Sequence, residues 1–383
     1  MKLKSTLALA LLAMASVHAS AQTQGVSKNE IVLGSIQDLS GPLASLGKQV
    51  RYGMQLRVDE LNEQSGGIHG RKIRLLIEDS QYDPKKAVLA TQKLVNQDKI
   101  FAMIGHIGTT SNLAAMPIQF AKNVPNLNPI TASKEMYEPF HKLKFAFSAS
   151  YFDQMRVFAP KLAKEKGAKK VCTMHQDDDF GTEVMNGAEA GLKTIGMTLA
   201  EKTTYKTGAT DFSSQVARLK AANCDMVILG TVLRETIGTI GTARRTGYNP
   251  VFLGSSAAYF DLVHKLGGKA MDGLYAAMTV QNPYLDSASQ PLRFWATKYQ
   301  TKFNEEPAVF SVYGYTAIDN FITAATAAGP NLTTDAFIKA LETVTFPADI
   351  FGSPITKFGP KKRQGSDLAR LSQIVDGRWK VLE

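Results

Sequence analysis

The sequence predicts an α/β fold of two doubly wound parallel-sheet lobes joined by three hinge strands. Short apolar runs of strand length alternate with helical patterns along the chain, which is typical of parallel sheets covered by helices on both faces. The alternation restarts after residue 147, which indicates two sheets. No segment rich in proline or serine divides the halves, so we expect the chain to cross between lobes through strand-like hinges.

The first half opens with apolar runs that predict three buried strands, at 31–36, 73–77 and 101–105. Between the first two, apolar residues recur at helical spacing: Leu46, Val50, Met54, Val58 and Leu61. Gly66 and Gly67 end that helix. A second helix begins at Asp83 and Pro84, because aspartate caps a helix and proline fits its first turn.

The second half repeats the pattern. Strand-like runs lie at 171–174, 199–205, 227–229, 251–253 and 274–280, and helical patterns lie at 182–195, 212–222 and 235–245. Two long helices, at 287–303 and 309–328, are expected to return to the first lobe. We expect the chain to cross between the lobes near 146–150, 278–283 and 347–353. The predicted first lobe therefore comprises residues 22–147 and 281–350. The predicted second lobe comprises residues 148–280 and 351–383.

Residues 1–21 have the pattern of a secretory signal peptide. Lys2 and Lys4 precede an apolar run at 7–17, and Ala19 and Ala21 form a small-x-small cleavage site. The run is too short to span a membrane, and no cysteine stands at the cleavage site to take a lipid. We therefore expect an exported protein that is not inserted in a membrane.

Charge and motifs exclude several function classes. The net charge of +10 favours anionic partners. The longest basic run is only 361–363, however, and no stripe of aromatic and basic residues accompanies it, so nucleic acid is not expected. Five residues separate Gly41 from Gly47, whereas a phosphate loop requires four. The sequence has no dinucleotide fingerprint, nucleophile elbow or zinc-protease motif. We therefore expect no enzyme activity, cofactor or metal.

The chain contains two cysteines, Cys172 and Cys224. Export would permit a disulfide between them. Both lie in or beside apolar strand-like runs, however, and this favours buried free thiols.

Two hydroxyl-rich loops follow strands of the first lobe. The segment 104–111 runs from a strand end into a helix start and carries Thr109, Thr110 and Ser111, and the segment 129–133 ends the neighbouring strand. Free N–H groups at a helix start favour an anion, and hydroxyls add hydrogen bonds. Ligands of parallel sheets collect beyond the carboxyl ends of the strands. The first loop alone is equally typical of a plain helix N-cap, but two such loops at neighbouring strand ends favour a site for an acidic group.

Several short motifs recur in order along the chain: Leu39-Ser-Gly-Pro-Leu43, Asn62 with Gly66-Gly-Ile-His-Gly70, Tyr82-Asp-Pro84, Ile104-Gly-His106, Asp179-Phe-Gly181, and Asp211-Phe212 with Leu219-Lys220. On these residues the chain resembles the periplasmic receptors of branched-chain amino-acid ABC transporters, the type I, leucine-binding-like group. The resemblance covers nearly all of the chain after the signal segment. It implies two lobes that close on a ligand, and an inner-membrane ABC permease as partner.

The resemblance also implies the residues around the ligand: Leu46, Thr109, Ile130, Thr131, Ala132, Ser133, Phe180, Val232 and Ser256. Thr109 and the loop amides would hold the ligand's carboxylate, and Phe180 would line the apolar end of the binding site. Four further aromatic residues are candidate walls: Tyr151, Tyr259, Phe310 and Tyr313. Arg234 is either an added cation or a solvated loop charge.

Departures from the family pattern bear on the ligand. Leucine-type receptors place tyrosines where this chain has Leu46, Phe180 and Val232, and they hold the ligand ammonium with an acidic residue where Ser256 stands. An unpaired buried ammonium is costly, so an α-amino acid would need another acid, such as Asp38, Asp153 or Glu235. The family cysteines of the first lobe are absent near Tyr82 and Gly108. We therefore expect a small carboxylate with an apolar or aromatic body and no ammonium group.

Three alternative functions stay open from the sequence. A branched-chain amino-acid receptor is the alternative within the same family. A ligand sensor for a signalling partner would use the same closure of the two lobes on a ligand. A secreted two-lobed enzyme would use the carboxylates at 177–179 as general acid and base. A receptor that must close is expected to be a monomer.

Overall fold

The computed structural model describes residues 23–382, so the predicted signal segment 1–21 lies outside the described residues. The first sheet is parallel and has the strand order β2-β1-β3-β4-β5. Its strands are β1 (Glu30–Gln37), β2 (Lys72–Asp79), β3 (Ala102–Ile104), β4 (Asn126–Leu127) and β5 (Lys144–Phe145). This order is doubly wound, with its topological switch point between β1 and β3.

The second sheet repeats that order and then extends it. Five parallel strands are β6 (Val171–Gln176), β7 (Leu199–Tyr205), β8 (Met226–Gly230), β9 (Val251–Gly254) and β10 (Tyr275–Met278). A small antiparallel pair follows, β11 (Thr345–Phe346) with β12 (Thr356–Lys357). The last strands, β13 (Arg370–Val375) and β14 (Arg378–Leu382), complete the order β14-β13-β10-β9-β8-β6-β7.

The antiparallel hairpin β13–β14 was not predicted by the strand-and-helix alternation. Asp376 and Gly377 form its two-residue turn with φ of 53° and 69°, and an Asp-Gly pair is a preferred turn for such hairpins. The mainly parallel architecture confirms the predicted fold class of two doubly wound lobes.

Eleven α-helices connect and cover the strands within residues 23–382. They are α1 (Ala44–Gln64), α2 (Pro84–Gln92), α3 (Thr109–Ala121), α4 (Tyr151–Lys166), α5 (Asp179–Lys193), α6 (Ser213–Ala221), α7 (Leu233–Arg245), α8 (Asp261–Gly267), α9 (Gln290–Phe303), α10 (Val309–Ala328) and α11 (Thr334–Thr343). As predicted, the Asp83 side chain caps α2 by accepting hydrogen bonds from the Lys85 and Lys86 amides. No helix in the described range is both long and apolar enough to cross a membrane.

Helices α1 and α10 meet at unusually short backbone separation, because glycines face each other at the crossing. A Cβ atom on Gly53 would overlap the carbonyl oxygen of Ser311, and one on Gly314 would overlap that of Val50. The close approach fixes α10 against the first lobe. It also places Leu46 of α1 beside Phe310 and Tyr313 of α10, and all three line the same cavity.

The segments that connect the two sheets run side by side. The Ala146 amide donates to Arg363 O at 2.9 Å, and the Gln281 amide donates to Phe351 O at 2.8 Å. These contacts join segments that are far apart in sequence, near the positions predicted as crossings. The exact lobe boundaries stay a prediction.

The expectation of free thiols is wrong. Cys172 and Cys224 form a disulfide with a Cα–Cα distance of 5.9 Å. Cys172 lies on β6, and Cys224 lies two residues before β8, the strand that pairs with β6. The pairing of these neighbouring strands brings together two residues that are 52 positions apart in the sequence. Local apolar character could not reveal this.

Candidate functional site

A cavity that is partly open to solvent lies between the two sheets, and its walls surround about 600 Å³ of empty space when the open mouth is included. Its walls come from the loops that follow the carboxyl ends of strands, including those at both topological switch points: Thr109 after β3, Phe180 after β6 and Val232 after β8. This is where doubly wound sheets bind ligands. Eleven predicted site residues line it: Leu46, Thr109, Ile130, Thr131, Ala132, Tyr151, Phe180, Val232, Ser256, Phe310 and Tyr313.

Three other predicted site residues have their polar groups engaged elsewhere. The Thr110 hydroxyl faces Asp178 at 3.4 Å, in a groove outside the cavity. The Ser133 hydroxyl donates to the Glu135 carboxylate. Asp153 accepts from the Ser150 hydroxyl at 2.8 Å and from Arg156 at 2.9 Å, so its carboxylate stays on the outer side of α4.

The last two predicted residues also lie away from the cavity. Arg234 is exposed on the first turn of α7, which matches the solvated alternative. Tyr259 packs on the Trp379 ring at a centroid distance of 4.9 Å, and its hydroxyl accepts from the Asn282 amide at 3.1 Å. It therefore belongs to the core of the second lobe, because the loop after β9 turns it inward.

One end of the cavity is suited to an anion. Helix α3 begins there at Thr109, and the first N–H groups of a helix have no intrahelical acceptor. The Thr109 and Thr131 hydroxyls are 2.6 Å apart, with either able to donate. Gly108 precedes the helix with φ of 91°, and a Cβ there would lie 2.8 Å from the Tyr82 ring. Glycine therefore allows Tyr82 to close over the helix start.

The remaining walls are largely apolar and aromatic. The Phe180 ring meets Tyr151 edge-on at a centroid distance of 5.0 Å. On the opposite side, Tyr313 meets Phe310 at 5.6 Å and Phe147 at 5.7 Å, both edge-on. Such edge contacts hold the rings in defined positions. The space between them is therefore bounded mainly by ring faces and edges.

Neutral hydroxyl groups supply the other polar contacts. The Thr279 and Tyr313 hydroxyls are 3.0 Å apart beside the crossing segments. The Ser256 hydroxyl accepts from the Gln154 side chain at 3.0 Å, and the Ser256 amide donates to the same carboxamide at 2.9 Å. Burial raises the pKa of Tyr151 to about 12, so this phenol stays protonated and can donate.

No residue with a carboxylate, ammonium, guanidinium or imidazole side chain lines this cavity within residues 23–382. Asp38 uses both carboxylate oxygens on the Gly41 and Leu43 amides, at 2.5 and 2.6 Å. Glu235 is buried in the first turn of α7, where burial raises the pKa of its carboxyl group. The described residues also contain no cluster of histidine, cysteine or acidic residues that could hold a metal ion.

The sequence interpretation missed several lining residues: Leu43, Tyr82, Ile107, Phe147, Ser148 and Thr279. Leu43 stands in the Ser-Gly-Pro-Leu motif after β1, so the motif could have indicated it. Ser148 and Thr279 stand in the crossing segments, which the strand pattern located without assigning them to the site. Tyr82 has φ of 57°, and nothing local in the sequence indicates that its ring turns toward the cavity.

The two sides of the cavity touch each other directly. The Tyr151 amide at the start of α4 donates to Ala132 O at 2.7 Å. The Lys134 amide donates to the Glu183 carboxylate of α5 at 2.9 Å. Together with the contact between Thr110 and Asp178, these bonds describe a closed arrangement of the cleft.

Comparison with known proteins agrees with this architecture. The sequence profile of the family described as "Periplasmic binding protein" matches residues 30–378. A Leu/Ile/Val-binding protein homolog 7 from Brucella suis is 25% identical over 291 residues, which cover 73% of this chain and 72% of the relative. A fatty acid ABC transporter substrate-binding protein from Thermomonospora curvata is 23% identical with a TM-score of 0.86, covering 94% of this chain and 93% of that one. A leucine binding protein from Thermotoga maritima is 19% identical with a TM-score of 0.81, covering 92% and 97%. The chain therefore belongs to the periplasmic binding protein family, as a type I member of the leucine/isoleucine/valine-binding kind.

Proposed function

We propose that this protein is the periplasmic receptor of an ABC importer and that its ligand is a small carboxylate with an apolar or aromatic body and no ammonium group. The observation that carries the proposal is the uncharged cavity that meets the start of α3. A helix start attracts an anion through its free N–H groups and its dipole. No cationic side chain is then needed to hold the acid.

The ligand carboxylate would lie against the Thr109 and Thr131 hydroxyls and the first N–H groups of α3. Its body would extend between Phe180 and Phe310. Burying apolar surface in such a pocket contributes about 25 cal/mol per Å², and a few oriented polar groups fix the ligand's direction. The buried contact area thus supplies the affinity, and the hydroxyl groups set the orientation of the ligand.

The absence of an acid from the lining argues against an α-amino acid. A buried ammonium without a carboxylate partner would lose roughly 3–5 kcal/mol relative to a paired one. Asp38 and Asp153, two of the acids that could have supplied the partner, are engaged in other contacts. Ser256 offers only a hydroxyl at the position of the family's acidic residue.

A branched-chain amino acid is the second candidate ligand. Relatives such as the one from Brucella suis carry Leu/Ile/Val in their names, and the buried carboxyl group of Glu235 lies near the Tyr82 ring that lines the cavity. For an amino acid to bind, Glu235 would have to turn toward the ligand ammonium. The fatty-acid receptor from Thermomonospora curvata favours the first proposal instead, since a fatty acid is a carboxylate with an apolar body.

Closure would connect binding to transport. We propose that residues 22–147 with 281–350 move against residues 148–280 with 351–383 about the three crossing segments, and that a monomer in the closed form docks on an inner-membrane permease. Export would depend on the signal segment 1–21. A ligand that touches both lobes favours the closed form over the open one, so no catalytic step is required.

Titration calorimetry on the ligand-stripped protein tests the proposed ligand class. We expect phenylacetate, benzoate or hexanoate to bind, and leucine, isoleucine and valine to give no heat of binding. Phenylacetamide is the matched control, because it keeps the ring and loses the charge that the α3 start would hold. Tight leucine binding would contradict the ligand proposal and leave the receptor class intact. Mass spectrometry of small molecules released from the purified protein would identify an unexpected ligand.

A further inference from the structure

Glu183 occupies a central position in the wall of the cleft. It lies on α5 one turn after Phe180, and only 4% of it is exposed. One carboxylate oxygen accepts from the Lys134 amide at 2.9 Å and from the Phe152 amide at 3.4 Å. The other oxygen is buried; the Ser133 hydroxyl lies near this carboxyl group but donates to Glu135.

These two amides belong to two different cavity-lining segments. Lys134 follows the loop that carries Ala132, and Phe152 follows Tyr151 at the start of α4. Glu183 thus joins the segments that carry Ala132, Tyr151 and Phe180. The first segment follows a strand of the first sheet, whereas α4 and α5 cover the second sheet. One carboxyl group therefore bridges the cleft.

No cationic side chain forms an ion pair with Glu183 within residues 23–382. The Lys134 ammonium lies over the Phe152 ring at 5.4 Å instead, and the Arg156 guanidinium pairs with Asp153. The other ionisable groups around Glu183 are Glu135, Tyr137 and Tyr151. Helix α3 and strand β8 carry none, and the His175 ring of β6 faces Asp177. Burial and the charge of Glu135 therefore oppose a negative charge on Glu183, and together they outweigh the hydrogen-bond donors that favour it.

We propose that Glu183 is a positioning residue that ties the two sides of the cavity together, and that closing the cleft makes it take up a proton. The proposal rests on the proposed receptor function, because it assigns a regulation to the same cleft. A protonated carboxyl group still accepts hydrogen bonds from the Lys134 and Phe152 amides, and it avoids an unpaired buried charge.

Burial, with a smaller contribution from the charge of Glu135, raises the pKa of Glu183 to about 7 in the closed form. A freely exposed glutamate has a pKa of about 4.3. Separating the lobes would remove the Lys134 contact but leave Phe152 of α4 beside Glu183, so the pKa in the open form would lie between about 4.3 and about 7. The closed form therefore binds more protons than the open form between these values. Closure is favoured fully below about pH 4.3 and loses this contribution as the pH rises through 7. Ligand affinity should consequently increase as the pH falls.

Calorimetry with phenylacetate at pH 5.5 and pH 7.5 tests the proposal. The wild-type protein should bind phenylacetate several-fold more tightly at pH 5.5, with about 20-fold as the upper limit. Glu183→Gln keeps the acceptor and removes the charge, so its affinity should be nearly independent of pH. Glu183→Ala should bind weakly at both pH values because it loses the bridge. Glu189→Gln, on the same helix in a pair with Lys202, is the matched control and should follow the wild type.

Equal pH profiles for the wild type and Glu183→Gln would overturn the inference while leaving the receptor function standing. If phenylacetate bound no variant at either pH, the ligand proposal would fail, and scattering from the ligand-free protein would decide the inference. We then expect a smaller radius of gyration at pH 5.5 than at pH 7.5 for the wild type and not for Glu183→Gln. An identical radius at the two pH values would overturn it.

Discussion

The proposed anion site depends on Thr109 and Thr131, two hydroxyl groups with no cationic side chain beside them among the described residues of the cavity lining. Their oxygens are 2.6 Å apart and almost fully buried. Since one hydroxyl donates to the other, the hydrogen of the accepting hydroxyl is left for a further acceptor, either the Tyr151 phenol beside Thr131 or a bound ligand. The adjacent start of α3 adds backbone donors. The site would therefore bind a carboxylate through donors that keep their charge state at any physiological pH.

Replacing Thr109 with valine tests this arrangement. Thr109→Val keeps the shape and removes the hydroxyl, so we expect the affinity for phenylacetate to fall about tenfold, equivalent to roughly 1.5 kcal/mol for one hydrogen bond to a charged group. Calorimetry measures the change. Thr301→Val, on the exposed face of α9, is the control and should bind as the wild type does. Unchanged affinity in Thr109→Val would place the carboxylate elsewhere.

At the scale of elements, the crossing of α1 and α10 determines one wall of the cavity. Gly53 and Gly314 allow the two backbones to touch, and the crossing holds Leu46, Phe310 and Tyr313 at the ligand space. Close packing leaves no room for even one added methyl group. The wall is therefore positioned by helix contact, not by the loops alone.

The glycine crossing leads to a stability prediction. Gly314→Ala would force α1 and α10 apart, so we expect the free energy of unfolding to fall by about 1–3 kcal/mol. Gly241→Ala is the matched control, because its new Cβ would meet only the Arg245 side chain at 3.6 Å in helix α7. That substitution should be neutral or stabilise by up to about 1 kcal/mol. Urea unfolding measures both, and equal stabilities would contradict the close-contact argument.

Local patterns in the sequence predicted the elements more fully than their contacts. The run 31–36 lies within β1 (Glu30–Gln37), and the pattern 212–222 contains α6 (Ser213–Ala221). Such elements are predictable because the spacing of apolar residues that are close in sequence differs between strands and helices. The Cys172–Cys224 disulfide and the Glu183 bridge join residues distant in sequence. No local pattern specifies such pairings, since they depend on which strands and loops become neighbours.

The same distinction separates the candidate site residues. Thr109 and Phe180 follow strands at the switch points, so their positions could be predicted from topology and family resemblance. Tyr259 and Tyr313 are both aromatic and both buried, yet only Tyr313 lines the cavity. Whether a ring faces the core or the cavity depends on the local turn and on packing partners such as Trp379. The sequence does not encode that choice in the residue type.

At the scale of the whole molecule, the cleft is held closed by a few polar contacts. They include the Tyr151 amide on Ala132 O, the Lys134 amide on Glu183, and Thr110 facing Asp178. Individual hydrogen bonds of this kind contribute only about 0.5–1.5 kcal/mol each. A bound ligand that contacts both lobes adds its own interactions to these, so it can shift the population from open to closed.

Small-angle scattering tests this shift directly. We expect the radius of gyration of the ligand-stripped protein to decrease when phenylacetate is added to saturation, because the two lobes rotate together about the crossing segments. Phenylacetamide at the same concentration is the control and should leave the radius unchanged, since it lacks the carboxylate that α3 would hold. A radius that stays constant while calorimetry shows saturation would mean that the ligand enters a rigid cleft. In that case the permease would have to recognise the bound ligand or its local surroundings instead of a closed molecule.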